Sequence, residues 1–146
     1  MKATDLRIGN LLTDEFYPDF NTIITVESIN EKGINLEIEN SNDYPECQSH
    51  WIDPYYPFDN LRGIPLNESW FIKLGFKDRS GKLKNRMGYG IDINTMIEIA
   101  WYKIGDDVRL QSKGSGWTFN THILYVHQLQ NLYFSLTGKE IIAKAQ

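Results

Sequence analysis

Residues 126–138, Val-His-Gln-Leu-Gln-Asn-Leu-Tyr-Phe-Ser-Leu-Thr-Gly, constrain the fold more than any other stretch of the chain. Val126, Leu129, Leu132, Tyr133 and Leu136 recur at the i, i+3, i+4, i+7 spacing that lines one side of a helix, while Gln128, Asn131 and Ser135 fall elsewhere. Gly138 supplies a left-handed stop. A helix this short is marginal alone, so its apolar stripe must lie on the β-rich remainder. The expectation is that Leu132 and Leu136 are buried against a sheet.

At 146 residues, with 41% hydrophobic and 13% aromatic content, the chain can bury a core as one domain, and disorder of the whole is excluded. No separately folding units are expected. The lone Cys47 cannot form an internal disulfide and no basic-then-apolar leader is present, which points to a reducing, cytoplasmic location. No apolar run approaches a membrane span. The net charge of −4 conceals a division. Residues 8–60 carry eleven acidic side chains and one basic, Lys32, whereas residues 61–146 carry twelve basic and seven acidic. This sets an acidic β-rich lobe, 1–62, beside a basic α+β lobe, 63–146. Either the halves attract each other, or each presents its face to a partner.

In chain order, residues 2–6 form a helical turn and residues 7–13 a strand entered through Gly9. Residues 22–30 and 34–39 form a hairpin turning at Glu31-Lys32-Gly33, with Ile34, Leu36 and Ile38 alternating against Asn35, Glu37 and Glu39. By analogy this is a small curved sheet of the SH3-like kind. Residues 39–62, holding three prolines and the rings of Trp51, Tyr55, Tyr56 and Phe58, form a long loop. These four aromatics are the candidate partner-binding residues, the alternative being a lid over the core. Asn67 caps a two-turn helix that Gly75 ends, with Phe76 folding back on Phe71. Three strands follow, at 88–93, 96–104 and 108–112, with Ile97, Ile99 and Trp101 on one face. The fold class is α+β, with a curved N-terminal antiparallel sheet, a short helix, and a second antiparallel sheet packed by the C-terminal helix.

Residues 77–86 gather Lys77, Arg79, Lys82, Lys84 and Arg86 around Ser80-Gly81, the best anion-binding candidate, although the frame of a P-loop is missing. Residues 113–120 read as a glycine-rich loop in which Trp117 either plugs the sheet end or stacks on a base.

Leu6-Arg-Ile-Gly-Asn10, Gly63-Ile-Pro-Leu66 leading to Trp70 and Lys73-Leu-Gly-Phe76, and the block from Val126 to Phe134 with Leu136-Thr-Gly138 together resemble a signature of small uncharacterised proteins from Bacteroidetes genomes and their phages or mobile elements. The resemblance covers about a fifth of the chain. It implies an α+β domain and no known activity. The loops at 39–62 and 114–116 depart from that pattern.

The chemistry that remains is sparse. Cys47 and His50 stand three apart in a Pro-rich loop with no further signature of a thiol enzyme. His50, His122 and His127 lack the paired spacing of zinc sites, and no calcium-loop spacing is present. No catalytic residue, metal or cofactor is assigned. His127 lies off the main helical stripe, facing either a second packing partner or water. The basic second half and the aromatics favour nucleic-acid binding, whereas the net charge of −4 and the acidic half oppose nonspecific duplex binding; the opposite reading is an acidic face that occupies a basic protein partner. The reading that results is a non-catalytic accessory protein that binds a protein partner, in its specific form a phage or mobile-element regulator or inhibitor of a host system. The alternatives are a binder of an anionic nucleotide, held by the basic turn and Trp117 together, and an enzyme of unknown type.

Overall fold

The computed structural model describes residues 1–15, 22–39, 55–79, 87–102 and 105–144. The chain divides into two compact units, Met1–Pro65 with Tyr125–Asn131, and Leu66–Leu124 with Leu132–Gln146. The fold is α+β, with two antiparallel sheets and a C-terminal helix. Among the described residues no helix is long and apolar enough to cross a membrane.

The first unit is a four-stranded sheet in the order β3-β2-β1-β4, made of β1 (Leu11–Asp14), β2 (Ile23–Ile29), β3 (Ile34–Glu39) and β4 (Leu61–Gly63). The 22–30 and 34–39 readings hold: β2 and β3 pair from Ile23↔Glu39 to Ile29↔Ile34, as their alternation requires. The first strand starts later than expected, because Arg7–Asn10 is a turn with Gly9 at φ +85°. β4 was not anticipated. It begins at the end of the stretch read as loop, follows a 3-10 turn at Phe58–Asn60, and pairs with β1 through Leu12↔Gly63. Leu6, Leu12, Ile24, Val26, Ile34, Tyr56 and Leu61 make the core.

The second unit is a five-stranded sheet in the order β5-β6-β7-β8-β9: β5 (Lys77–Asp78), β6 (Met87–Asp92), β7 (Ile97–Tyr102), β8 (Asp107–Ser112) and β9 (Thr118–Asn120). Helix α1 (Glu68–Lys73) begins where expected, the Asn67 side chain accepting the Trp70 N–H at 3.2 Å, and Gly75 follows it at φ +79°. Phe76 meets Phe71 edge-on at 5.2 Å, and Phe71 stacks on Trp101 at 5.0 Å. Ile99 and Trp101 are buried on the face that receives α1, with Ile97 half-buried beside them. Residues 118–120 form an edge strand rather than loop, paired to β8 through Leu110↔Phe119.

The terminal helix, α2, runs Val126–Thr137 and is followed by Gly138 at φ +67°. Its period is as expected but its buried face is not. Val126, His127, Leu129 and Gln130 are buried, Leu132 is half-buried and Leu136 is 38% exposed. The segment up to Asn131 belongs to the first unit, where amides decide which side turns inward. Gln130 Oε1 accepts the Leu11 N–H at 2.8 Å and its Nε2 donates to the Gly9 carbonyl at 3.0 Å. Asn10 donates to Asn131 at 2.9 Å, and Asn131 donates to the Asp5 carbonyl at 3.0 Å. An apolar stripe counted from sequence cannot register such a demand.

Gln130→Met keeps the volume but leaves the Leu11 N–H and Gly9 carbonyl without this partner, so urea denaturation should register a loss of about 1 to 3 kcal/mol. Leu136→Ala should cost less than about 0.5 kcal/mol, the reverse of what the helical stripe alone implies.

Candidate functional site

Where β4 ends, the chain meets the start of α2 within the first unit. Pro65 bridges Tyr125 in antiparallel fashion, and the Val126 N–H donates to the Ile64 carbonyl at 2.9 Å. Gly63 makes the approach possible: a Cβ there would lie 2.6 Å from Tyr125 Cγ and 2.9 Å from His127 Cε1. With hydrogen in its place, the rings of Tyr125 and His127 lie over the strand, stacked 5.8 Å apart with 11° between their planes.

Beside them opens a cavity of about 510 Å³, lined in part by Asp5, Leu61, Arg62, Gly63 and Gln128. His127 is 4% exposed, and its Nδ1 has no hydrogen-bond partner. Burial pushes its pKa below the usual 6.5, with the charge of Asp5 pulling the other way. The imidazole is therefore neutral at pH 7. Arg62 is ion-paired with Glu15 and donates to the carbonyls of Asp59 at 2.7 Å and Leu61 at 2.9 Å. Asp5 accepts the Lys2 N–H at 3.0 Å. Met1 also lines the cavity, its terminal ammonium 3.5 Å from the Phe58 carbonyl, so of Met1, Asp5 and Arg62 only Arg62 is in an ion pair with a described residue.

A second surface lies on β9 of the second unit. All three of its residues are exposed; Phe119 is 63% exposed and meets Trp117, 38% exposed, edge-on at 5.3 Å. Leu124 is exposed as well.

The residues singled out from sequence fare differently. Trp51, Lys82, Lys84 and Arg86 lie outside the described residues, as do Cys47 and His50. Tyr55 is exposed, whereas Tyr56 is only 4% exposed: it bridges Ile34 through two backbone hydrogen bonds and donates its hydroxyl to buried Asp14. Tyr56 thus serves the core rather than a surface, and Phe58 packs half-buried against the same cluster. Lys77 is exposed on β5. Arg79 pairs with Asp92 at 2.9 Å, and Lys113 reaches the same carboxylate at 2.9 Å. The Lys113 hydrogen bond first, and the charges of Lys113 and Arg79 after it, hold the Asp92 carboxyl below its usual range. Lys77 lies on β5 and Trp117 beside β9, the two edges of the sheet, whereas the Arg79 side chain reaches across to Asp92 on β6, the same carboxylate that Lys113 holds.

Sequence reasoning missed the His127–Tyr125 cavity and Phe119. A glycine at 63 flanked by Ile64-Pro65 signalled a close backbone approach, but nothing in the sequence said which rings would fill it. Among the described residues no group of three or more His, Cys, Asp or Glu is placed to hold a metal ion. No protein-family model, curated protein or solved structure matches the chain.

The depressed His127 pKa has a definite sign in stability. Below pH 6.5 the unfolded chain takes up a proton that the folded chain refuses, so stability falls as pH drops from 6.5 toward the folded-state pKa and levels off beneath it. Melting temperature should therefore decline between about pH 7 and about pH 5, and His127→Gln should flatten that part of the profile.

Proposed function

We propose that the protein is a non-catalytic accessory protein that acts by binding another protein, through the aromatic edge of its five-stranded sheet. One observation carries this reading: β9 ends the sheet with every residue exposed and with Trp117 and Phe119 side by side on the surface. Exposed aromatic edges invite strand pairing, and aromatics are the residue types that anchor protein interfaces. The fitting occupant is an extended segment of the partner laid along β9, its backbone completing the ladder and its apolar side chains covering the two rings. The sequence resemblance supports a specific form, a regulator or inhibitor of a host system carried by a phage or mobile element. A nucleotide held by the basic turn and Trp117 together has less support, because among the described basic residues Arg79 is ion-paired with Asp92 and Lys82, Lys84 and Arg86 lie outside the described residues.

Trp117→Ser combined with Phe119→Lys tests the reading. The wild-type chain should co-purify with a stoichiometric partner from its own cells and the double variant should lose it, while melting temperature shifts by less than about 2 °C, since neither ring is buried. A partner retained by the folded double variant would move the interface elsewhere.

A further inference from the structure

We infer that, while its partner is absent, the protein pairs β9 with β9 of a second copy, antiparallel and centred on Phe119, so that the binding edge is closed off in a weak two-fold dimer. This rests on the reading of β9 as the interface and adds what regulates access to it. Four strands end the two sheets. β3 carries Glu37 and Glu39, β4 carries Arg62, and β5 carries Lys77 and Asp78, whereas β9 holds no charged side chain. The uncharged stretch is wide, since residues 114–125 include no Asp, Glu, Lys or Arg. Charged side chains, prolines and bulges are what commonly keep an edge from meeting its own copy. β9 has no proline, and its register with β8 runs unbroken. With no like charges to bring together, two identical edges meet without repulsion.

The ladder with β8 fixes which backbone groups face out. The Ser112 N–H donates to the Trp117 carbonyl and the Thr121 N–H to the Val108 carbonyl, both at 3.1 Å, so Trp117, Phe119 and Thr121 turn their backbone groups toward β8. Thr118 and Asn120 therefore turn theirs outward. Gly116 at φ +75° and His122 at φ +50° end the extended segment on either side, which makes it symmetric about Phe119. Antiparallel pairing centred on Phe119 sets Thr118 of each copy opposite Asn120 of the other, and every outward N–H of both strands finds a carbonyl. Centring on Thr118 would set Asn120 against Gly116, and centring on Asn120 would set Thr118 against His122, each a residue with positive φ. In the favoured register Phe119 meets Phe119 of the second copy in a non-hydrogen-bonded pair, the closer kind, with Trp117 diagonal to it on the same face. Two such short strands and four rings bury less than the roughly 1,200 Å² of stable complexes, so the dimer is weak and a longer partner strand displaces it.

The test is analytical ultracentrifugation of the purified full chain, with disulfide trapping to read the register. The wild type should show a monomer–dimer equilibrium with Kd on the order of 100 µM. Phe119→Lys and Phe119→Glu should each be monomeric at about 1 mM, because like charges face each other across the axis, and mixing the two should restore the dimer. In a Cys47→Ser background, Phe119→Cys should oxidise to a linked dimer at least about tenfold faster than Thr118→Cys. A non-hydrogen-bonded pair sets Cα atoms about 4.5 Å apart, whereas the two copies of position 118 stand beyond the reach of about 7 Å that a disulfide spans. A wild-type chain that stays monomeric at about 1 mM, or a mixture no more dimeric than its components, overturns the inference. Equal trapping at 118 and 119 overturns the register and the inference with it. The partner reading is judged separately, by co-purification. A partner retained by Trp117→Ser with Phe119→Lys sinks that reading and leaves self-pairing standing, and a monomeric wild type whose partner is lost in the double variant gives the converse.

Discussion

The hydrogen bonds that Gln130 and Asn131 make to the Arg7–Leu11 turn are the contacts on which the first unit depends. The turn leaves the Leu11 N–H and the Gly9 carbonyl to be satisfied at the buried start of β1, and a primary amide answers both because it carries a donor and an acceptor on one planar group. Asn10 extends the arrangement. It is fully buried, accepts the Arg7 N–H at 2.8 Å and donates to Asn131, so the turn is held from inside and from α2 together. The same bonds set the rotation of the helix's first half and thereby bring His127 against Gly63. A cavity wall is thus specified by amides that do not line it alone.

The second unit is held differently, by stacked rings. Trp101 lies between Phe71 and Tyr89, at 5.0 and 6.0 Å, with its indole N–H donating to Asp106 at 2.8 Å. The opposite face of β7 and β8 carries polar groups in register: Glu98 opposite Gln111, hydrogen-bonded at 2.8 Å, and Tyr102 bonded to the same glutamine. Arg109 sits over the Tyr102 ring at 4.4 Å. One face is closed by aromatic packing and the other by a connected polar network, which leaves the β9 edge as the place where large apolar rings meet solvent.

The elements written in strong periods were legible. The β2–β3 hairpin, the Asn67-capped helix with its Phe71–Phe76 contact, the central strands of the second sheet and the extent of α2 all follow from alternation, caps and glycine stops. What escaped was short or cooperative. β4 and β9 are three residues each, too brief for a period, and are strands only because β1 and β8 offer them ladders. Tyr56 reads from sequence as either an interface ring or a lid, and its hydroxyl bond to the buried Asp14 carboxylate decides for the core. His127 sits off an apolar stripe counted along one helix, and only the chain folded around Gly63 shows that side to be internal. Sequence carries no strand order, so it cannot place the basic turn relative to Trp117.

The first unit is discontinuous: its sheet comes from the opening 65 residues, but Tyr125–Asn131 must return to complete it, closing a loop that contains residues 66–124. On the ribosome the sheet emerges early, yet Leu11 N–H and Gly9 O wait for Gln130, more than a hundred residues later. The second unit's strands pair with near neighbours in sequence and can assemble first, after which closing the long loop carries only a slowly growing entropic cost. Completion of the sheet made first therefore waits for a helix made more than a hundred residues later, and truncation anywhere before Asn131 leaves the N-terminal sheet without its closing helix.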